Sequence, residues 1–177
     1  VVMCAALEAG ASMINDITAL GHSDAMSIVA ASDCGVCLMH MHKEPQTMQV
    51  EPMQGDATSI VSQVLLFLEQ RKQYICRLGV DLSRLAVDPG IGFGKTVEQN
   101  FALLAGQREL LALGLPLLSG WSRKSALGAV TGLAMAERMP PSIVAAMLAV
   151  QHGASIVRVH DVLETHAAMK VLKSATA

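Results

Sequence analysis

The sequence has no basic run and almost no net charge: 13 Lys and Arg stand against 15 Asp and Glu, a formal −2 at pH 7. A nucleic-acid binder clusters its cations to neutralise phosphates, so no nucleic-acid partner is expected. Although 52% of the residues are hydrophobic, none of the apolar runs reaches the roughly 18–20 residues of a membrane helix, and no membrane partner is expected either. The first ten residues, Val1 to Gly10, lack the charged start and small-residue cleavage site of a secretory signal. They read as the second half of an amphipathic helix closed by a glycine cap. A chain that opens inside a helix without a Met is expected to be a fragment. Four cysteines, Cys4, Cys34, Cys37 and Cys76, are scattered rather than framed. Cys34 and Cys37 have C-x-x-C spacing, which serves redox or metal chemistry elsewhere. With no second pair, and with Cys37 inside an apolar run, they are expected to be reduced core thiols of a cytoplasmic protein. No linker or low-complexity stretch divides the 177 residues, which suffice for one domain and fall short of two.

What is present is an alternation. Short apolar runs at Ser12–Ile17, Gly35–His40, Arg84–Asp88, Leu115–Gly120 and Ser155–His160 read as strands buried on both faces. Between and after them, helical patterns are expected at about 23–33, 57–78, 97–113, 137–152 and 162–174. The longest carries a stripe through Ile60, Val64, Leu65, Leu68 and Ile75. Strands alternating with helices make parallel βαβ units. Each strand ends in a polar or glycine-containing cluster: Asn15-Asp16, His40-Met41-His42, Asp88-Pro89-Gly90, Gly120 to Lys124, and Arg158 to Asp161. In parallel α/β folds the carboxyl ends of the strands form the active face. A (β/α)8 barrel needs about 30 residues per unit, so five units fit this length and three would be missing. A doubly wound sheet is the competitor, but Asn15-Asp16-Ile17-Thr18 is not the glycine-rich phosphate loop expected after its first strand. The expected fold is therefore a single α/β domain over 1–177, the C-terminal five-unit portion of a TIM (β/α)8 barrel.

Four constellations carry chemistry. Asp88-Pro-Gly-Ile-Gly-Phe-Gly-Lys95 places a carboxylate at a strand end beside three glycines, suited to paired N–H donors of a planar amino-heterocycle. The bland reading is a turn with Asp88 as a helix cap. Gly120-Trp-Ser-Arg-Lys-Ser125 sets two cations and two hydroxyls before a helical pattern, a place for an anion. Within it Arg123 is expected to pair with a rim carboxylate and Lys124 to meet the ligand. Arg158 and His160 alternate onto one side of the last strand and form a pincer for a diphosphate, unless Arg158 is half of an interior ion pair. His40 and His42 have the spacing of a metal pair but no third ligand of matched spacing.

These segments, with Met13-Ile-Asn-Asp-Ile17, Val36-Cys-Leu-Met-His-Met41 and Pro45-x-Thr-Met48, resemble dihydropteroate synthase, in family order along essentially the whole chain. The resemblance implies barrel strands four to eight and a transferase of folate biosynthesis. It would condense 4-aminobenzoate with 6-hydroxymethyl-7,8-dihydropterin diphosphate, giving 7,8-dihydropteroate and diphosphate without a side-chain nucleophile. By the same resemblance Asn15 and Asp88 hold the pterin ring, with Lys124 close to ring and aminobenzoate. Phe93 and Ser122 border the aminobenzoate, and Arg158 and His160 hold the diphosphate. It also implies Mg²⁺, with its ligand N-terminal to this chain, and a homodimer through the late helices. The stretch Glu137-Arg-Met-Pro-Pro-Ser142 departs from the small glycine-containing segment expected there. Alternatives are a non-catalytic pterin-binding or interaction fragment, and a methyltetrahydrofolate methyltransferase-like barrel.

Overall fold

A computed structural model describes residues 1–48, 50, 52–53, 55–56 and 59–176, except the Ser23 side chain. Five parallel strands run in chain order: β1 Met13–Asp16, β2 Gly35–Met39, β3 Leu85–Asp88, β4 Leu118–Ser119 and β5 Ile156–Val157. The first three pair as β1-β2-β3 and the last two as β4-β5. A parallel bridge from Val87 to Leu117 joins the two sets, so each strand lies beside its predecessor. Helices α1 Val2–Glu8, α2 Ser23–Ala30, α3 Ile60–Arg77, α4 Val97–Ala105, α5 Ser125–Thr131, α6 Met139–Gln151 and α7 Val162–Thr176 alternate with the strands. The five-unit α/β architecture read from the sequence is present.

The sheet separates two cores. Val36, Leu38, Val87 and Leu117 point outward and pack with Ile60, Val64, Leu68 and Ile75 of α3. The alternate residues Cys37, Ala86 and Leu118 point the other way and meet Ile156 in a small inner cluster. Continuing that alternation along β3 and β5 puts Asp88 and Arg158 on the inner face, one step above Ala86 and Ile156. Of the expected α3 stripe, Leu65 is only partly buried, and Val61 takes a buried place. The expected start of that helix, at 57–58, lies outside the described residues.

The largest departures from the sequence reading lie in the second half of the chain. The runs 115–120 and 155–160 give only two-residue ladders. Pro116 has no N–H to donate; it serves as an acceptor for Val87 N–H at 2.9 Å. The helix expected over 97–113 breaks at Gly106 and continues as a 3₁₀ segment, Gln107–Leu113. There the Gln107 amide, buried, donates to Ala149 O at 2.7 Å. Helix α5 begins immediately after the Gly120–Lys124 cluster, where the sequence reading set a helical pattern without giving it bounds. It is only seven residues long and ends at Gly132 in a left-handed cap. The two prolines of the divergent stretch fall in the first turn of α6, where a missing N–H costs nothing.

The cysteines are free thiols, and Cys34 and Cys37 join different cores. The C-x-x-C is thus packing, and burial pushes the Cys37 thiol up to about 12.

Candidate active site at the strand ends

The glycine loop after β3 is tied down from three sides. Asp88, 1% exposed, accepts Gly90 N–H at 2.7 Å through Oδ1. Gly92 N–H donates to the buried Asn100 side chain at 2.7 Å. Lys95 is buried, and its ammonium donates to Gly90 O at 2.9 Å, Phe93 O at 3.1 Å and His40 O at 3.4 Å. Three carbonyls crown one cation, and that crown fixes both the loop and the end of β2. Burial pulls the Lys95 pKa down to about 7, with Asp88 working against the fall. Helix α4 then starts on a capping box between Thr96 and Gln99. The Gln99 amide also holds Met53 O at 2.9 Å and Gly55 O at 3.1 Å, anchoring the long loop before α3.

Around Asp88 the cations converge. Arg158 Nη2 lies 3.4 Å from Asp88 Oδ2, closing the ion pair that the sequence offered as its bland alternative. Arg158 is nonetheless 43% exposed at its side chain, so it is open to a ligand as well. Burial raises the Asp88 pKa, while Gly90 N–H, Arg158, Lys124 and Lys95 oppose the rise. The Lys124 ammonium sits 4.3 Å above the Phe93 ring, a cation–π contact that places the cation beside an aromatic wall. Burial lowers the Lys124 pKa and Asp88 pushes it back. Ser122 Oγ is 2.8 Å from His160 Nδ1 and also accepts His160 N–H at 3.1 Å. Gly120, Ser122, Lys124, Arg158, Val159 and His160 together line a cavity of about 190 Å³.

The predicted residues are therefore largely assembled. Ser122, Lys124, Arg158 and His160 share the cavity; Asp88 joins them through Arg158, and Phe93 through Lys124. Asn15 stands on β1, exposed and level with Cys37 in the register, on the same inner face as Asp88 but one step below it. Arg123 pairs with Asp161, Nη2 to Oδ1 at 2.6 Å and Nε to Oδ2 at 3.3 Å. Sequence reasoning missed Lys95 and Asn100 as organisers of the glycine loop, although Lys95 closes the very motif that stands out in the sequence. A larger cavity, about 600 Å³, lies between the ends of α6 and α7, lined by Arg108, Gln151 and Lys173 among others, away from the strand ends.

His40 points to the outer side. Its ring meets Phe67 edge-on at 4.9 Å, and its Nδ1 is buried without a hydrogen-bond partner among the described residues. Among the described residues there is no group of three or more His, Cys, Asp or Glu placed to hold a metal. Burial, with Lys95 and His42 adding to it, lowers the His40 pKa to about 3. Between that value and the ordinary 6.5 the unfolded chain takes up a proton that the folded chain refuses. Stability is therefore expected to fall as pH drops from about 6.5 towards 3, by an amount on the order of 4 kcal/mol for this group alone. Urea unfolding at pH 7 and pH 4 checks it, and His40→Leu should flatten the difference.

The sequence profile of the pterin binding enzymes matches residues 1–160. That match covers most of the chain, and the chain belongs to the pterin binding enzyme family. Among its relatives, the dihydropteroate synthase of Haemophilus influenzae is 40% identical over 171 residues, covering 97% of this chain and 61% of the relative. That of Neisseria meningitidis serogroup B is 44% identical over 167 residues, covering 92% and 58%. The dihydropteroate synthase structure from Stenotrophomonas maltophilia, with imidazole in its active site, superposes with TM-score 0.94 at 45% identity, covering 99% of this chain and 66% of that one. The Xanthomonas albilineans enzyme in complex with 7,8-dihydropteroate gives TM-score 0.91 at 41% identity, covering 99% and 63%. The chain spans about three fifths of the length of the curated relatives it matches.

Proposed function

We propose that the polypeptide carrying this chain is a dihydropteroate synthase, and that residues 1–177 form one pterin-binding barrel domain supplying the pterin and diphosphate side of its site. The observation that carries this is the convergence of Asp88, Arg158 and Lys124 with the Ser122–His160 pair at one cavity. The matched relatives bear that name, and solved structures of the same fold hold 4-aminobenzoate and 7,8-dihydropteroate.

In this reading the buried Asp88 carboxylate accepts paired N–H donors of the pterin ring, as a planar acceptor at a strand end can. Asn15, on the same inner face, adds a second polar contact to the ring. Lys124, steered by Asp88 and Phe93, lies between the ring and the aminobenzoate, which Phe93 and Ser122 border. Arg158 and His160 take the diphosphate. As the C–O bond breaks, negative charge grows on the leaving oxygens, and a guanidinium fork with an imidazole beside it stabilises that charge. The amine of 4-aminobenzoate supplies the electron pair for the new C–N bond, so the protein positions and stabilises and donates no nucleophile. Mg²⁺ is proposed as the cofactor, with its protein ligand outside the described residues; among these no group of three or more His, Cys, Asp or Glu is placed to hold a metal.

Arg158→Ala should lower turnover by about 10²–10³-fold, the usual cost of losing one donor to a developing anion. The check is formation of 7,8-dihydropteroate from 4-aminobenzoate and the dihydropterin diphosphate; full activity in the variant would sink the diphosphate assignment. The exposed apolar residues Val130, Val144 and Leu148, on α5 and α6, support a homodimer through the late helices, which sedimentation equilibrium would show as twice the chain mass. Four free thiols, two of them buried, support a cytoplasmic location.

A further inference from the structure

Arg123 is the backbone hinge of the cation loop. Its φ is +58°, a left-handed conformation unfavourable for a side chain of its size, so the surroundings must hold it there. They hold it on both sides. Its N–H donates to Ser142 Oγ at 2.9 Å. Its carbonyl accepts Arg138 Nη1 at 3.3 Å. The Ser142 hydroxyl in turn donates to Arg138 O, and Arg138 Nε donates to Leu133 O at 3.0 Å. Neither Arg138 nor Ser142 lines the cavity, whereas the two neighbours of Arg123, Ser122 and Lys124, both do. The Arg138 guanidinium lies across Gly128 of α5, where a Cβ would overlap it.

We propose that Arg138 and Ser142, at the start of α6, are positioning residues for the site: they grip the peptide groups flanking Arg123 and so fix Ser122 and Lys124 on the cavity wall. The inference rests on reading that cavity as the diphosphate and pterin site. It gives the divergent stretch Glu137–Ser142 a purpose. The rigid, planar guanidinium fork holds Leu133 O through Nε and Arg123 O through Nη1 in one fixed geometry, which the compact, freely rotating ammonium of a lysine does not reproduce. Gly128 is the seat of that guanidinium, the one residue type that leaves it room.

The test uses the full chain and four variants: Arg138→Met, Arg138→Lys, Ser142→Ala and Gly128→Ala. Gly128→Ala is the sharpest, because alanine in a helix should by propensity alone leave α5 as firm or firmer. Hydrogen exchange read by mass spectrometry should show residues 122–126 exchanging about tenfold faster in Arg138→Met, Ser142→Ala and Gly128→Ala, with β1–β3 unchanged. Titration with inorganic diphosphate should show about tenfold weaker binding in the same three variants. Arg138→Lys keeps the charge but loses the planar fork that spans both carbonyls, and should fall between wild type and Arg138→Met in both measurements. Unchanged exchange over 122–126 in Arg138→Met and Gly128→Ala overturns the grip. Faster exchange with unaltered diphosphate affinity overturns its role in the site. A wild-type chain that protects 122–126 yet binds no diphosphate contradicts the reading of the cavity instead, and exchange alone then decides the grip.

Discussion

Gly90→Ala should cost at least about 4 kcal/mol of stability, a loss that marks a specific structural conflict rather than ordinary surface tolerance. Gly90 has φ +71°, where any side chain adds a backbone penalty of roughly 1–2 kcal/mol. The greater part of the loss is steric. A Cβ there would fall inside the van der Waals shell of the His40 carbonyl oxygen, and that backbone is not free to move. His40 N–H donates to Asp88 O at 3.0 Å, and its carbonyl receives the Lys95 ammonium. Displacing it opens the β2–β3 pairing at its carboxyl end and strips Lys95 of its crown. Gly10→Ala is the internal control. Gly10 has φ +96° with nothing near its would-be Cβ, so only the backbone penalty of roughly 1–2 kcal/mol remains. Thermal melts of the two variants should separate clearly. Equal melting temperatures would mean that the glycine loop does not press against β2.

Asp88→Ala should weaken binding of the dihydropterin substrate by about 10²–10³-fold while leaving the chain folded. A buried carboxylate that accepts two N–H bonds from a ligand gains roughly 1.5–3 kcal/mol for each bond to the charged group. Removing it also leaves Lys95, Lys124 and Arg158 facing one another without their shared counter-charge, which makes the ring pocket worse than neutral. Asp88→Asn keeps the volume, but turns half of the acceptor surface into a donor that opposes the ring N–H groups. It should recover little. Calorimetric titration with the substrate checks both variants. Near-native affinity in the asparagine variant would show that Asp88 serves the loop, through Gly90, rather than the ring.

Much of this was legible in the sequence because parallel strands advertise themselves. Runs such as Gly35–Met39 and Leu85–Asp88 are apolar since both faces are buried, and polarity returns only where the chain leaves the sheet. Hence Asp88, Lys124, Arg158 and His160 stood out as strand-end residues, and the structure places all of them on the same rim. What stayed hidden depends on contacts distant in sequence. Lys95 looked like the end of a motif; its work is to gather carbonyls from two loops, one of them 55 residues away. Of the two roles weighed for Arg158, the ion pair with Asp88 is present, and a side chain 43% exposed leaves the proposed diphosphate contact open beside it. Helix α5 was given no bounds because seven residues containing Gly128 carry too short a period, and because the glycine makes sense only with Arg138 lying across it.

The pterin contact proposed for Asp88 and the diphosphate contact proposed for Arg158 belong to one substrate molecule. The direct measurement is calorimetric titration of 6-hydroxymethyl-7,8-dihydropterin diphosphate into the folded chain, beside Asp88→Ala and Arg158→Ala. Saturable one-to-one binding, lost in the first variant and weakened at least about tenfold in the second, is the predicted result. Binding that survives both substitutions unchanged, or a folded wild type that binds nothing, would contradict it.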